Sequence, residues 1–207
     1  MIYYHSGAIE FLVSKRENTE LDMFEKFDIL TSFHYIAKSE RVFGFFKEQR
    51  SRIGKIILDS GAYSAFTQKK NIPLKTYMSW LEKYSSLFTD YIALDVIGDA
   101  ERTWLQFLEM KKQGFSPVPV WHASFSDVSY FKRYVDAGER YICFGGVAAA
   151  GVSNYTTGEI DKAFLYLREK KLVDEVKIHG LGVGNAGYLE RYPWYSVDSS
   201  NVLFIYK

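Results

Sequence analysis

Polar residues that could carry out chemistry follow six successive apolar runs of the chain. Aspartates end three of these runs, at Asp59, Asp95 and Asp198. Histidines His122 and His179 stand at the ends of two others. Two carboxylates that face one substrate suit glycosidic chemistry, because one can attack the anomeric carbon while the other moves protons to and from the leaving group. These residue types therefore predict carboxylate chemistry on a glycosidic bond.

Each of these residues also has a purely structural interpretation. An aspartate after a strand commonly caps a turn or a helix, and a histidine there is commonly a hydrogen-bonded structural residue. The pair Gly145-Gly146, after the remaining run, either forms a plain turn or lets a ligand approach the backbone closely. A metal site built from His122, His179 and an aspartate is a further alternative. Three aspartates in equivalent positions favour the catalytic interpretation.

The elements that must position these residues are short apolar runs that alternate with longer amphipathic stretches. This alternation is typical of repeated strand and helix units on a parallel sheet. The eight runs predicted as strands are Ile2–His5, Ile29–Phe33, Lys55–Asp59, Tyr91–Asp95, Val118–His122, Tyr141–Phe144, Val176–His179 and Tyr195–Asp198. The five stretches predicted as helices, with apolar residues three or four apart, are Glu40–Gln49, Leu74–Phe88, Ala100–Lys112, Val128–Asp136 and Thr156–Lys171.

Residues at the ends of these helices carry their own signals. Ser126-Asp127 and Thr156-Thr157 are predicted to cap helix N-termini, because their side-chain oxygens can accept from free backbone N–H groups. Gly114 and Gly138 follow two predicted helices, at the position where the backbone commonly adopts a left-handed conformation that glycine allows. We expect each pair to mark a helix boundary.

Eight strands interleaved with helices predict a single α/β domain over residues 1–207, a (β/α)8 barrel of the TIM type. At 207 residues the chain is close to the lower size limit of that fold. A doubly wound open sheet is the rival, but it usually has a glycine-rich turn after its first strand, where this chain has Ser6-Gly7-Ala8. In a barrel the carboxyl ends of all strands meet at one mouth, so the polar residues above are expected to lie together.

Composition limits the partners and the compartment. With Lys+Arg 26 against Asp+Glu 25, the chain has no general positive charge, so nucleic-acid contact would need a local patch such as Lys69-Lys70, Lys75 or Lys111-Lys112. A lone cysteine, Cys143, excludes a disulfide framework and a cysteine-rich zinc site, and it predicts a cytoplasmic protein. We expect a soluble, unexported protein with no membrane partner, since the start lacks a signal-peptide pattern and no apolar stretch is long enough to span a bilayer. The 17% of aromatic residues are expected mainly to pack the core.

The polar motifs, taken in order, resemble the tRNA-guanine transglycosylase superfamily. That superfamily includes queuine and archaeosine tRNA-ribosyltransferases, and shorter, often phage-encoded relatives that place 7-deazaguanines in DNA. The resemblance covers about residues 55 to 200, and five motifs fall in register on successive strands. These motifs are Ile57-Leu58-Asp59-Ser60-Gly61-Ala62-Tyr63-Ser64, Asp95, Gly145-Gly146-Val147-Ala148, Gly180-Leu181-Gly182-Val183-Gly184 and Val197-Asp198-Ser199-Ser200.

The resemblance implies a base-exchange reaction and a role for each matching residue. Asp198 is similar to the nucleophile that attacks C1′, expels guanine and forms a covalent glycosyl-enzyme. Asp59 is similar to the general acid/base, Asp95 to the carboxylate that reads the purine edge, and Tyr63 to an aromatic that stacks on the base. The remaining residues expected to bind substrate, as members of these motifs or at matching strand ends, are Ser60, His122, Gly145, Gly146, Val147, His179 and Gly182. His122 stands where the family usually has a glutamine.

The resemblance also implies the partners. They are a polynucleotide, either DNA or tRNA, and a free purine or 7-deazapurine base, with no cofactor and no metal. The cysteine-rich zinc subdomain of the tRNA enzymes has no counterpart here, so we expect nucleic-acid contact through a local patch, a homodimer or a partner subunit. The localisation implied is the cytoplasm, that of the host if the chain is phage-encoded. Two alternatives stay open: a nucleoside or DNA N-glycosylase, and a non-catalytic nucleic-acid-binding subunit.

Overall fold

The structure is a computed structural model, and it describes residues 1–7, 28–147 and 153–199. Its eight strands are β1 Ile2–Ser6, β2 Ile29–Ser32, β3 Ile56–Asp59, β4 Asp90–Tyr91, β5 Val120–His122, β6 Tyr141–Gly145, β7 Lys177–Gly180 and β8 Ser196–Ser199. The α-helices in these ranges are α1 Phe33–Ile36, α2 Glu40–Gln49, α3 Ala62–Thr67, α4 Leu74–Tyr84, α5 Ala100–Lys112, α6 Val128–Asp136, α7 Asn154–Glu169 and α8 Ala186–Arg191. Short 3₁₀ turns, Arg50–Arg52 and Ser85–Leu87, follow α2 and α4.

All eight strands run parallel in one sheet, in the order β4-β3-β2-β1-β8-β7-β6-β5. Apart from β4 and β5, which stand at the two ends of this order, each strand lies beside its neighbours in the chain, and the first strand lies beside the last. This order differs from that of a doubly wound sheet, which reverses part-way. A strand forms at each of the eight predicted places, although the fourth has different bounds, and the fold is an α/β arrangement compatible with a TIM-type barrel.

The two strands at the ends of this order, β4 and β5, share no continuous ladder. One isolated parallel bridge pairs Ile92 with Val118. The backbone N–H of Ala93 donates to the Val118 carbonyl at 2.8 Å, and the N–H of Val118 donates to the Tyr91 carbonyl at 2.8 Å. The sheet is thus curled far enough to bring its two edges into contact at this point.

Side chains alternate between two apolar layers, as the period of two in a strand requires. One layer lies on the concave face and contains Tyr4, Leu30, Ile57, Ile92, Val118, Val120 and Cys143. The other lies between the sheet and the helices, and it contains the intervening strand residues, such as Ile56, Leu58, Ile142 and Phe144. Because Ile57 faces inward and Leu58 outward, Asp59 returns to the concave face.

Aromatic residues fill much of the layer between the sheet and the helices. Trp121, Phe131 and Phe144 contact one another edge-on or tilted, with ring centroids 4.8 to 5.6 Å apart. Phe46 and Phe88 stack with centroids 5.4 Å apart. These contacts confirm that the high aromatic content serves mainly to pack the core.

Helix boundaries agree with the sequence patterns in most places. The predicted bounds of α2, α5 and α6 are confirmed, Asp127 caps α6, and Gly114 and Gly138 adopt positive φ angles of 88° and 93°. The predicted cap at Thr156-Thr157 is wrong, because the Ser153 side chain accepts from the N–H of Thr156 and starts the helix earlier.

Two other predictions need correction. The fourth strand ends at Tyr91, so Asp95 lies in the loop beyond it, although Ile92, Ala93 and Leu94 are buried. The second predicted helical stretch, Leu74–Phe88, ends at Tyr84 as α4 and passes into a 3₁₀ turn. In the described ranges, no helix is long and apolar enough to cross a membrane.

Candidate active site

Three aspartates lie at or just beyond the carboxyl ends of strands on the concave face. Asp59 ends β3, Asp198 lies within β8, and Asp95 lies four residues after β4. Because the strands are parallel, these ends lie on the same edge of the sheet. The charges of both Asp95 and Asp198 act on the Asp59 carboxyl, and the charges of all three act on the Cys143 thiol beneath them. The structure thus brings the three predicted carboxylates into one site.

Asp59 is held by the turn that leads into α3. Its Oδ2 accepts from the backbone N–H of Gly61 at 2.9 Å, and the N–H of Ala62 donates to the Ser60 hydroxyl at 3.2 Å. Gly61 has a φ of 76°, in the left-handed region. An added Cβ at Gly61 would lie 2.5 Å from the His34 Cβ and 2.8 Å from the Ser32 Oγ. This position therefore requires glycine for both conformation and space.

Asp95 connects two neighbouring strand ends. Its Oδ1 accepts from the Ser60 hydroxyl at 2.8 Å, and its Oδ2 lies 2.7 Å from Nε2 of His122. The exposed fractions of the Asp95 and His122 side chains are only 8% and 11%. Each carboxylate oxygen has a second lone pair, so both can still accept a further hydrogen bond from a ligand.

The glycine pair after β6 makes room for the fifth-strand residues. An added Cβ at Gly145 would lie 2.7 Å from the His122 Nδ1, and one at Gly146 would lie 2.0 Å from the Ser124 Oγ. That Nδ1 and that Oγ are buried with no hydrogen-bond partner among the described residues. The Gly145 carbonyl accepts from the N–H of Ala123. The glycine pair thus packs directly against two buried polar atoms that have no hydrogen-bond partner among the described residues.

Asp198 is fixed through one of its two oxygens. Its Oδ1 accepts from the N–H of Gly182 at 2.9 Å and lies 3.2 Å from Nε2 of His179. Gly182 has a φ of 68°, which aims its N–H at the carboxylate. In the described part of the chain, no hydrogen bond reaches the Asp198 Oδ2. The carboxylate is thus oriented with one oxygen available for substrate.

A row of buried side chains continues behind Asp198. The His179 Nδ1 lies 2.8 Å from the Ser196 Oγ, which lies 3.1 Å from the Tyr141 hydroxyl. With a hydrogen on Nε2, the imidazole donates to Asp198 and accepts from Ser196, and Tyr141 donates to Ser196 in turn. His179 and Ser196 both have an exposed fraction of 0%. Every donor in this row then points toward the carboxylate.

Burial raises the pKa of Asp59 to about 7, and the negative charge of Asp95, followed by that of Asp198, adds to the increase. The Gly61 N–H and the Ser32 hydroxyl oppose it by stabilising the ionised form. A carboxyl with a pKa near 7 can both give and take a proton near neutral pH. Asp59 is therefore suited to general acid/base work.

A cavity of about 380 Å³ opens beside Asp95. Its walls include Phe66 of α3, Leu94, Ile97, and Arg102 of α5. Its size is in the range of small-molecule sites. Tyr63, the predicted stacking residue, is 61% exposed on α3, and Phe66 is 58% exposed on the next turn. Phe66 is thus the aromatic that lines this cavity, and its sequence context gave no signal of that role.

Four of the residues predicted to bind substrate lie in direct contact with the three aspartates, and one is buried away from them. Ser60, His122, His179 and Gly182 all contact one of the three aspartates, whereas the side chain of Val147 is 4% exposed and packs in the outer apolar layer. The residues behind the site that the sequence did not indicate are Ser32, Tyr141 and Ser196.

The alternative metal site does not form in the part of the chain that the structure describes. There, no three or more His, Cys, Asp and Glu side chains are arranged to hold a metal ion. His122 pairs with Asp95 and His179 pairs with Asp198, so the two imidazoles serve different carboxylates. Comparison with models of protein families gives no match to this chain, and comparison with curated proteins gives none either.

Proposed function

We propose that this chain is a base-exchange transglycosylase that replaces guanine in a polynucleotide with a 7-deazaguanine derivative. We further propose that its curled sheet is a closed (β/α)8 barrel, for which the bridge between Ile92 and Val118 is the supporting contact. The observation that carries the functional proposal is the raised pKa of Asp59 in a group of three aspartates that includes the oriented carboxylate of Asp198. The order of the motifs, which resembles that of the transglycosylase superfamily, adds to it.

In the first half of the proposed reaction, Asp198 acts as the nucleophile. Its Oδ2 forms a bond to C1′ as the bond from C1′ to the guanine nitrogen breaks, and the protonated Asp59 gives its proton to the departing base. The products are free guanine, an ionised Asp59 and a covalent glycosyl-enzyme. Dividing one displacement into two lowers the barrier for a poor leaving group.

In the second half, the incoming base attacks C1′ and releases Asp198. The ionised Asp59 takes the proton from the attacking nitrogen, which restores the starting enzyme. Two inversions at C1′ return the original anomeric configuration. Asp95 accepts hydrogen bonds from the N–H groups of the purine edge, while the exposed rings of Tyr63 and Phe66 suit a flat base that leaves its stack.

The test is exchange of radiolabelled guanine into bulk tRNA and into double-stranded DNA, measured in parallel. The variant Asp198→Asn keeps the Oδ1 acceptor that Gly182 and His179 share but cannot attack C1′, and Asp174→Asn, at an exposed loop residue, is its matched control. We expect label in one polymer with wild type and with Asp174→Asn, and none with Asp198→Asn.

The other outcomes are equally informative. Release of free guanine without an added base would point to an N-glycosylase. Exchange that persists in Asp198→Asn would remove that residue from the nucleophile role. Binding of nucleic acid with neither exchange nor guanine release would favour a non-catalytic subunit.

A further inference from the structure

Four polar side chains form a hydrogen-bonded row beside the turn that follows Asp59. We call this set the lysine row, and its members in order are Lys38, His34, Gln68 and Lys70. The Lys38 Nζ lies 3.2 Å from the His34 Nδ1, the His34 Nε2 lies 3.2 Å from the Gln68 Oε1, and the Lys70 Nζ donates to that same Oε1 at 2.9 Å. An ammonium can only donate, so the His34 Nδ1 accepts and its Nε2–H donates to Gln68.

The lysine row carries two positive charges and neutral partners. Burial lowers the pKa of His34, and the nearby charges of Lys38 and Lys70 lower it further against the opposing hydrogen bond from Gln68. The imidazole therefore stays neutral at physiological pH. Within residues 1–7, 28–147 and 153–199, neither lysine forms an ion pair with a carboxylate. Both charges are available to an anion.

The lysine row lies directly against the turn from Asp59 to Gly61. His34 is 3% exposed, and its Cβ packs against Gly61, two residues after Asp59. Lys70 lines the 380 Å³ cavity that contains Asp95. Lys38 lines a second cavity of about 840 Å³, which shares the segment 71–73 with the first.

The walls of the second cavity carry further positively charged side chains besides Lys38. Lys75 and Lys83 also line it, against the single carboxylate of Glu40. The aromatic rings of Phe43 and Trp80 form part of its wall. A positively charged surface with aromatic walls is the usual combination in sites that follow a single nucleic-acid strand.

We propose that Lys38 and Lys70 bind the phosphodiester backbone of a polynucleotide strand that enters the site at Asp59 and Asp95. This inference rests on the proposed function. The two ammonium groups stand at opposite ends of the lysine row, with an imidazole and an amide between them, which favours successive phosphates of a strand over one small anion. Because His34 and Gln68 hold both lysines in place, less conformational entropy is lost on binding.

The test is binding of fluorescein-labelled 20-mers of deoxythymidine and of uridine, followed by fluorescence anisotropy between 50 and 200 mM NaCl. The double variant Lys38→Gln with Lys70→Gln removes both charges but keeps an N–H donor at each position. The matched control is Lys111→Gln with Lys112→Gln, because α5 runs back to the amino end of β5 and carries these two lysines away from the site.

We expect the double variant to bind either 20-mer roughly tenfold more weakly at 50 mM salt, with the slope of log K against log[salt] reduced by about 1.4, the value for two phosphate contacts of a single strand. The control variant should show a smaller change than the double variant both in affinity at 50 mM salt and in the slope of log K against log[salt]. Inorganic phosphate at constant ionic strength should not displace the 20-mer at millimolar concentration.

Three results would overturn the inference: unchanged affinity and salt slope in the double variant, an equal loss in the control, or displacement by millimolar phosphate, which would indicate a site for a free anion. Wild type that binds neither 20-mer would overturn it as well. Asp198-dependent exchange of guanine is measured separately, so the proposed function can survive the failure of this inference.

Discussion

His179 and Asp198 form a buried pair across neighbouring strands, with 3.2 Å between the His179 Nε2 and the Asp198 Oδ1. The Ser196 hydroxyl on the far side of the imidazole fixes which nitrogen faces the carboxylate. His179 is 0% exposed and can affect the proposed reaction only through Asp198, so we propose that it is a positioning residue. Its hydrogen bond is to Oδ1, which leaves Oδ2 for the proposed attack.

His179→Leu is expected to slow formation of the covalent enzyme–nucleic acid adduct by about 10- to 100-fold, since it removes a hydrogen bond to a charged group worth about 1.5–3 kcal/mol. His179→Gln can still donate to Asp198 and should recover most of that rate. The measurement is the single-turnover rate of adduct trapping on denaturing gels. Equal rates in the two variants, with equal melting temperatures, would show that the residue only fills space.

Asp59→Asn is expected to stabilise the fold at alkaline pH. The pKa of Asp59 is raised to about 7 from an ordinary value of 3.8, so between these values the folded state holds a proton that the unfolded state has lost. The free energy of unfolding therefore falls as pH rises from about 4 to 7. Asparagine does not titrate, and at pH 8 the variant should be more stable than wild type by up to about 4 kcal/mol.

Denaturant unfolding at pH 4, 6 and 8 checks this expectation. The gain from Asp59→Asn should be small at pH 4 and grow to its full size above pH 7. Asp174→Asn serves as the exposed control. A gain that is the same at all three pH values would mean that the Asp59 carboxyl does not titrate near neutrality, and the acid/base role would lose its support.

Asp95→Asn is expected to weaken the choice between purines. Guanine presents an N1–H and an exocyclic amine to a carboxylate, whereas hypoxanthine lacks the amine. A site built to accept both donors discriminates strongly against the analogue that lacks one. We expect the ratio of kcat/KM for guanine to that for hypoxanthine to fall by about tenfold or more, in proportion to one lost charged hydrogen bond.

The asparagine substitution is preferable to alanine at Asp95. Alanine would leave both Ser60 and His122 without their partner and would destabilise the fold for a reason unrelated to base choice. Competition between labelled guanine and hypoxanthine gives the ratio directly. An unchanged ratio with a lowered melting temperature would assign Asp95 a structural role alone.

The sequence predicted all eight strands because each lies in a short apolar run, most of them largely buried, and this pattern has few alternatives. The same pattern predicted a fourth strand that is too long. Ile92, Ala93 and Leu94 are buried, yet of these only Ile92 forms a bridge, with Val118 just before β5. Burial can be read from residue types, whereas the point at which two sheet edges separate depends on how the whole sheet curls. The short helices α1, α3 and α8 have four to six residues, too few to show a helical period.

The site was predictable only in part, for a similar reason. Asp59, Asp95 and Asp198 were found because each follows an apolar run. The contacts of Ser196 with His179 and Tyr141 arise from the register between β6, β7 and β8, which local sequence does not encode. Neither does it encode the packing of His34 against Gly61.

Gly61→Ala is expected to destabilise the protein strongly, whereas Gly158→Ala should stabilise it. At Gly61 an added methyl group would meet the Cβ and backbone N of His34 at 2.5 and 2.8 Å, and the φ of 76° disfavours any side chain. Gly158 lies within α7, and an added Cβ would meet nothing within 4 Å. Alanine there should gain about 0.5–1 kcal/mol from helix propensity.

We expect Gly61→Ala to lose about 2–4 kcal/mol, the range for overpacking combined with backbone strain. The free energies of unfolding of the two variants and wild type provide the measurement. Because Gly61 donates its N–H to Asp59 and packs on His34, the Gly61 variant should also lose activity and oligonucleotide affinity together. Stability within about 0.5 kcal/mol of wild type at Gly61 would contradict the tight packing that joins the turn after Asp59 to the lysine row.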